Sequence, residues 1–232
     1  MASATLKIAD VEVRITKKEI KNIHLSVNPP NGDVRLSVPK NTSDDVIRLL
    51  VIKRLSWIRK QREKFEKAQR QTERKFVSGE SHYFKGKRYV LKLFFAKRPR
   101  IEIRNKRFIY FYVPAGYSTE QKRKYYENWL RKKLREELEN LIPKWEKILG
   151  VKASEVKIKK MKTKWGSCNS RAKRIWINLE LIKKPPEHLE YIIVHELLHF
   201  FEKKHNRRFK ELLDKYLPKW EFYKKELNEF VL

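Results

Sequence analysis

Cysteine is almost missing from this chain of 232 residues: Cys168 is the only one, which excludes an internal disulfide and fits a reducing compartment. No apolar run approaches the length needed to span a bilayer, and the N-terminal "MASATLKIADVEVRITKK" lacks the uninterrupted apolar core of a signal peptide. A cytoplasmic protein without membrane association is the expectation. Internal repeats and low-complexity segments are absent as well. Acidic residues are the last shortage, 28 Asp and Glu against 57 Lys and Arg, for a formal net charge of +29 carried by both halves of the chain rather than by a tail.

What is present can fold, since 41% hydrophobic residues with 12% aromatics fill a core at this length. The charge has two open readings. A strongly basic surface attracts polyanions, with nucleic acid the first partner to consider because neutralised phosphates release counterions. Alternatively, 37% charged residues, with all but five of the acids being Glu and only six glycines, describe the Lys- and Glu-rich surface of a thermophile protein. No base-reading motif accompanies the charge. Nothing in the sequence fixes an oligomeric state.

Along the chain, "VEVRITKKEIKNIHLSVNPPNGDVRLSVP" alternates apolar and polar residues around the turn signal "NPPNGD", as a β-hairpin does. A long amphipathic helix should follow, opened by Thr42 or Ser43, with Val46, Ile47, Leu50, Leu55, Ile58 and Phe65 on its apolar side and a polar, basic far end. The stretches "RYVLKLFF", "RIEIRN" and "RFIYFYVP" predict a second, antiparallel sheet. Pro114, Gly116 and Ser118 then punctuate the chain before a helix over about 119–149, which places a domain boundary near residue 117. The second half adds a strand at "EVKIKKM", a loop holding "KTKWGSCNSRAK", a strand "RIWINLEL" and a helix starting at Pro185-Pro186, where a missing N–H costs nothing.

That last helix carries "HELLHFFEKKH". His195 and His199 are four residues apart, so on a helix both imidazoles leave the same face and reach one ion, while Glu196 points at a water bound there. A shuffled chain of this composition would contain about 0.015 such HExxH matches. The competing reading is a buried helix that merely accommodates histidines, for Tyr191, Ile192, Ile193, Val194, Leu197, Leu198, Phe200 and Phe201 make it apolar nearly all round. Two imidazoles and a carboxylate in such surroundings would each cost several kcal/mol without a partner, and a metal removes that cost. A catalytic zinc takes three protein ligands and keeps one position for water. His205 is the candidate for the third, with Glu211 and Glu221 as alternatives. On a continuous helix His205 would lie about 240° round from His199, so the helix must end near residues 202–204, with Asn206 capping the next one.

These residues bring out a likeness. The motifs "TKWGSC", "INL" and "VHELLH", then a sixth-residue His followed by "RRF", in that order and spacing, resemble the YgjP-like metallopeptidase domain family, and "VPKN", "VIRLL" and "KRLSWIRK" resemble its first half. The resemblance implies a zinc-dependent peptidase binding one Zn2+ per chain through His195, His199 and His205, with Glu196 as acid and base and a peptide or protein as substrate. More distantly the chain is similar to SprT and WLM domains, nucleic-acid-dependent proteases of DNA–protein crosslinks. Two departures bear on the pocket walls: "ELIKKPP" follows "INL" in place of the family's Asn-Trp-Arg, and Phe209-Lys210 replaces its Phe-Trp.

The fold expected is α+β, an N-terminal sheet-and-helix domain over residues 1–117 followed by a zincin-like metallopeptidase domain over 118–232. Trp165, Gly166, Ser167, Cys168 and Asn178 are supporting or substrate-binding candidates. The simplest role for the first four is packing a loop on the active-site helix, a sharper one is Cys168 as a fourth ligand, and "RIWINL" is the expected sheet edge for an extended substrate. The alternative function is a nucleic-acid-binding protein whose zinc is structural or auxiliary, or a protease recruited by DNA.

Overall fold

The computed structural model describes residues 3–28, 32–67 and 74–229. It divides into two compact units, residues 1–70 with 229–232 and residues 71–228.

The first unit is a four-stranded sheet and one helix. The strands β1 (Ser3–Ile8), β2 (Val11–Lys18), β3 (His24–Asn28) and β4 (Asp33–Pro39) lie in the order β1-β2-β4-β3. Period-two alternation sends Val11, Val13, Ile15, Val34, Leu36 and Val38 into a core shared with Ile47, Val51 and Ile58 of α1 (Asp44–Lys67). β3 and β4 pair antiparallel as the expected hairpin, β2 and β4 pair parallel, and turn residues 29–31 lie outside the described residues. The helix starts directly after Ser43, and Asp44 and Asp45 in its first turn suit the positive end of its dipole. Val46, expected on the buried side, is exposed, and Val51 takes its place because 47, 51 and 58 share one face. Arg59, Lys60 and Glu63 begin the expected polar far end and are exposed, while the side chain of Phe65 and residues 68–73 fall outside the described residues.

The second unit begins with β5 (Ser81–Phe84), β6 (Lys87–Phe95), β7 (Arg100–Arg104) and β8 (Phe108–Val113), ordered β5-β6-β8-β7. This sheet is mixed rather than antiparallel, since β7 pairs with β8 and leaves β6 parallel to β8. The long α2 (Thr119–Leu149) follows, then a three-stranded sheet in the order β10-β11-β9, from β9 (Glu155–Lys159), β10 (Gly166–Asn169) and β11 (Arg174–Asn178). A 3-10 turn (Leu179–Lys183) leads to α3 (Pro186–Leu198), α4 (Arg207–Tyr216) and α5 (Trp220–Glu229). Among the described residues, no helix is long and apolar enough to cross a membrane.

The boundary expected near residue 117 lies inside this unit. Pro114 and Gly116 belong to the turn from β8 into α2, which Ser118 caps: its hydroxyl accepts from the Gln121 N–H at 3.2 Å while Gln121 Oε1 accepts from the Ser118 N–H at 2.8 Å. The physical reason is a shared core. Ile109, Phe111 and Val113 of β8 pack in one cluster with Tyr126, Leu130, Leu134 and Leu138 of α2, and that cluster continues through Ile175 and Ile177 of β11 to Ile193, Val194 and Leu197 of α3. Punctuating residues mark a turn as readily as a linker, and only the long-range contacts tell which.

Candidate functional site

Helix α3 is the buried spine of the site. Pro186 opens it, and Leu189, Tyr191, Ile192, Ile193, Val194, Leu197 and Leu198 are all buried. Its α-helical geometry stops at Leu198, about a turn before the end expected from the sequence. There the ladder tightens to i−3 bonds, Phe200 N–H to Leu197 O and Phe201 N–H to Leu198 O, both 3.0 Å. Asn206 restarts the chain as the cap of α4, its side chain accepting from the Phe209 N–H at 3.0 Å. Between stop and restart the chain turns back and brings His205 to His195.

Nε2 of His205 lies 2.9 Å from Nε2 of His195. His195, His199 and His205 each offer a ring nitrogen within 4.8 Å of the others, and among the described residues neither Cys168, Glu211 nor Glu221 joins the group. The donor set fits a tetrahedral zinc, whose ligand nitrogens at about 2.0–2.1 Å from the ion stand about 3.3 Å apart. Two of the rings are also held in the protonation state a metal needs. Burial, then the neighbouring His199, His205 and Lys224, pushes His195 down to about 3, and burial likewise lowers His205. Both are therefore neutral near pH 7 and able to ligate. His199 has its tautomer set by its partner: Nδ1 is 3.0 Å from the Glu202 carbonyl oxygen, which can only accept, so in the neutral ring the proton sits on Nδ1 and the lone pair on Nε2. Nδ1 of His195 is buried without a hydrogen-bond partner.

Phe209, 1% exposed, holds the three rings from α4, with centroid distances of 5.0, 4.7 and 4.9 Å to His195, His199 and His205. Tyr191 meets His195 edge-on from the turn before. Neither aromatic had been singled out for this role; the one signal was the position of Phe209 three residues past the Asn206 cap.

Glu196 is 5% exposed, and burial raises its carboxyl to about 8 against a weaker opposing pull from Lys164. Strand β10 passes directly over it. A Cβ placed on Gly166 would sit 2.5 Å from Glu196 Oε1 and 2.8 Å from Ile192 Cγ2, so only glycine lets the strand come this close. Residues 166–169, expected in a loop, are this strand, and Cys168 shares the face of Gly166 two residues on. Burial first and Glu196 second push the Cys168 thiol up to about 11, which keeps it a thiol near pH 7. Ser167 stands on the other face of the strand, opposite Trp176. The half-buried Trp165 packs on the core with the Lys184 ammonium 5.7 Å from its ring.

Asn178 is wholly buried and structural. Its amide donates to the carbonyls of Met161 (2.9 Å) and Lys164 (2.7 Å), and its oxygen accepts from the N–H groups of Met161 (3.3 Å) and Glu180 (3.1 Å). It thereby ties the 161–165 loop to the end of β11. "RIWINL" does not supply the expected sheet edge: β11 is central, bonded to β10 on one side and β9 on the other. The edge beside α3 is β10.

Three histidines gathered where a buried helix ends, with a carboxylate beside the first of them, make a candidate metal centre. The family model for the YgjP-like metallopeptidase domain matches residues 21–230, and the chain belongs to that family. Solved structures that resemble it in part include the metallopeptidase zymogen of Pyrococcus abyssi abylysin, with a TM-score of 0.36, 21% identity and coverage of 39% of this chain and 90% of that one. The metallopeptidase zymogen of Methanocaldococcus jannaschii jannalysin gives 0.35, 26%, 39% and 92%. A comparison with curated proteins finds no match.

Proposed function

We propose that the chain hydrolyses peptide bonds with one zinc ion held by His195, His199 and His205 and with Glu196 as general base. The observation that carries this reading is the convergence of three imidazoles beside a buried, glycine-covered carboxylate. Zinc bound there supplies Lewis acidity, polarising the scissile carbonyl and lowering the pKa of water. The protein does the rest. His199, oriented by the Glu202 carbonyl, and His195 and His205, packed on Phe209, fix the donor positions. Glu196, whose carboxyl pKa is raised by burial, would be held as the carboxylate by a cation bound at the neighbouring histidines. Glu196 takes the proton of the attacking water on a carboxylate oxygen and delivers it to the leaving amine. An extended peptide pairing with the free edge of β10 would cross Gly166 directly above Glu196.

The alternative of a structural zinc asks for four closed protein ligands, whereas the group among the described residues has three. The test is Glu196→Gln. This variant should retain zinc, because the carboxylate is not a ligand, and should cleave a quenched fluorescent peptide about a hundredfold or more slower than the native chain. Cleavage at the native rate would refute the general-base role.

A further inference from the structure

The β5–β8 sheet has a second face that the metal centre does not use. Positions Ile109, Phe111 and Val113 of β8 point into the core, so Phe108, Tyr110 and Tyr112 point out. The register places outward partners beside them: Lys92 and Phe94 of β6 against Tyr110 and Tyr112, and Arg100, Glu102 and Arg104 of β7 against Tyr112, Tyr110 and Phe108. The aromatic rings form a continuous row, with centroids 6.3 Å apart from Phe108 to Tyr110, 5.2 Å from Tyr110 to Phe94 and 5.3 Å from Phe94 to Tyr112.

Cations are laid over this row. The Arg100 guanidinium is 3.7 Å from the Tyr112 centroid and that of Arg104 is 5.0 Å from Tyr110, while Lys92 and Arg107 are 5.4 and 5.5 Å from Phe108. The one carboxylate on the outward β6–β7–β8 positions, Glu102, does not cancel them but arranges two of them. Its Oε1 accepts from Arg100 Nε at 2.9 Å and its Oε2 from Arg104 Nε at 2.9 Å, which fixes both guanidiniums over their tyrosines. Phe94 is 40% exposed, and Arg100 and Arg104 are exposed too. Phe108, Tyr110 and Tyr112 are half-buried and Phe94 is open, so the face presents ring planes and cations together rather than apolar area alone.

We infer that this outer sheet face binds single-stranded nucleic acid, its bases stacking on Phe94 and on the guanidinium planes of Arg100 and Arg104 held over Tyr112 and Tyr110, and its phosphates meeting Lys92 and Arg107. Stacking on aromatic or guanidinium planes accepts any base, and a flat sheet offers those planes to unpaired bases, whereas a duplex keeps its base faces stacked inside. The net charge of +29 supplies long-range attraction. This surface does not depend on the peptidase reading and stands or falls separately.

The test uses the full chain and a fluorescein-labelled oligothymidylate, followed by anisotropy at two salt concentrations, with a duplex of equal length as comparison. Binding should be tighter to the single strand and fall steeply with salt. Phe94→Ala, and Tyr110→Leu, which keeps bulk but removes the aromatic face, should each weaken it about fivefold to a hundredfold. Lys92→Glu should weaken it and flatten the salt dependence, while Lys147→Glu, an equal charge change on α2, should have a much smaller effect. Thermal melts of each variant separate loss of binding from loss of fold, and Tyr110→Leu and Phe94→Ala back each other. Equal affinity for the duplex, equal effects of all charge and ring variants, or no binding at low salt would overturn the proposal.

Discussion

Two polar side chains of the second unit, the buried Asn178 and the half-buried His195, differ in where their partners come from. Asn178, at the end of β11, spends its amide on four hydrogen bonds inside the chain. His195, on α3, has a buried Nδ1 with no partner and an Nε2 facing another imidazole. Burying a polar atom is costly without a partner, yet the first group is fully partnered as the chain folds while the Nδ1 of the second is not. A polar group whose partners are all internal holds the fold, and one left facing its like is where a ligand belongs.

The comparison can be broken most sharply by adding zinc. If the histidines await a metal, zinc at a thousandfold excess over its dissociation constant should stabilise the fold by about 4 kcal/mol, read as a shift of the urea midpoint, and His199→Ala should erase that shift. The complementary change is Asn178→Ala, which strands several buried groups of the 161–165 loop. A loss of about 3 kcal/mol is expected, with the zinc-induced increment intact because all three histidines are still present. A small loss would mean the loop is held by something else.

Protonation sharpens the contrast from a third position. Burial pushes His82 down to about 4 from an ordinary 6.5, with Arg74 acting the same way and Glu80, 3.2 Å away, acting against. The unfolded chain therefore takes this proton first. The stability that neutral His82 contributes is whole above about pH 6.5 and is lost as pH falls toward 4, by up to about 3 kcal/mol. His82→Gln should flatten the stability profile in that window, and an unchanged profile would remove His82 from the explanation. The smallest effect belongs to Gly166→Ala. Its methyl has to displace Glu196 or Ile192, at a cost of about 1–3 kcal/mol, and should slow peptide hydrolysis while the zinc content stays that of the native chain.

How much of this was legible beforehand follows from how local each feature is. The pairing of His195 with His199 and the place of Glu196 rest on helical periodicity, and α2 spans the range its caps predict, from Ser118 to the left-handed Gly150. The cap at Asn206 was readable for the same reason. The end of α3 was placed too late because no glycine marks it and the i−3 tightening after Leu197 has no sequence signature. Strand pairing is non-local, and there the reading was weakest: "RIWINL" became a central strand, Gly166–Asn169 became the edge, and β6 and β8 turned out parallel. The division near residue 70 rather than 117 has the same origin, since nothing near Pro114 reveals that Val113 and Tyr126 share a core. Gly166 stood in the motif, but that its missing Cβ makes room for Glu196 required the coordinates.

The measurement that bears most directly on the histidine centre is a count of zinc. Protein freed of metal, loaded with zinc and passed through a desalting column should carry one equivalent by elemental analysis, both as the native chain and as Glu196→Gln. The double variant His195→Ala with His199→Ala, shown to be folded by circular dichroism, should carry none. One equivalent retained in that double variant would contradict the account, because the metal would then be held by other residues.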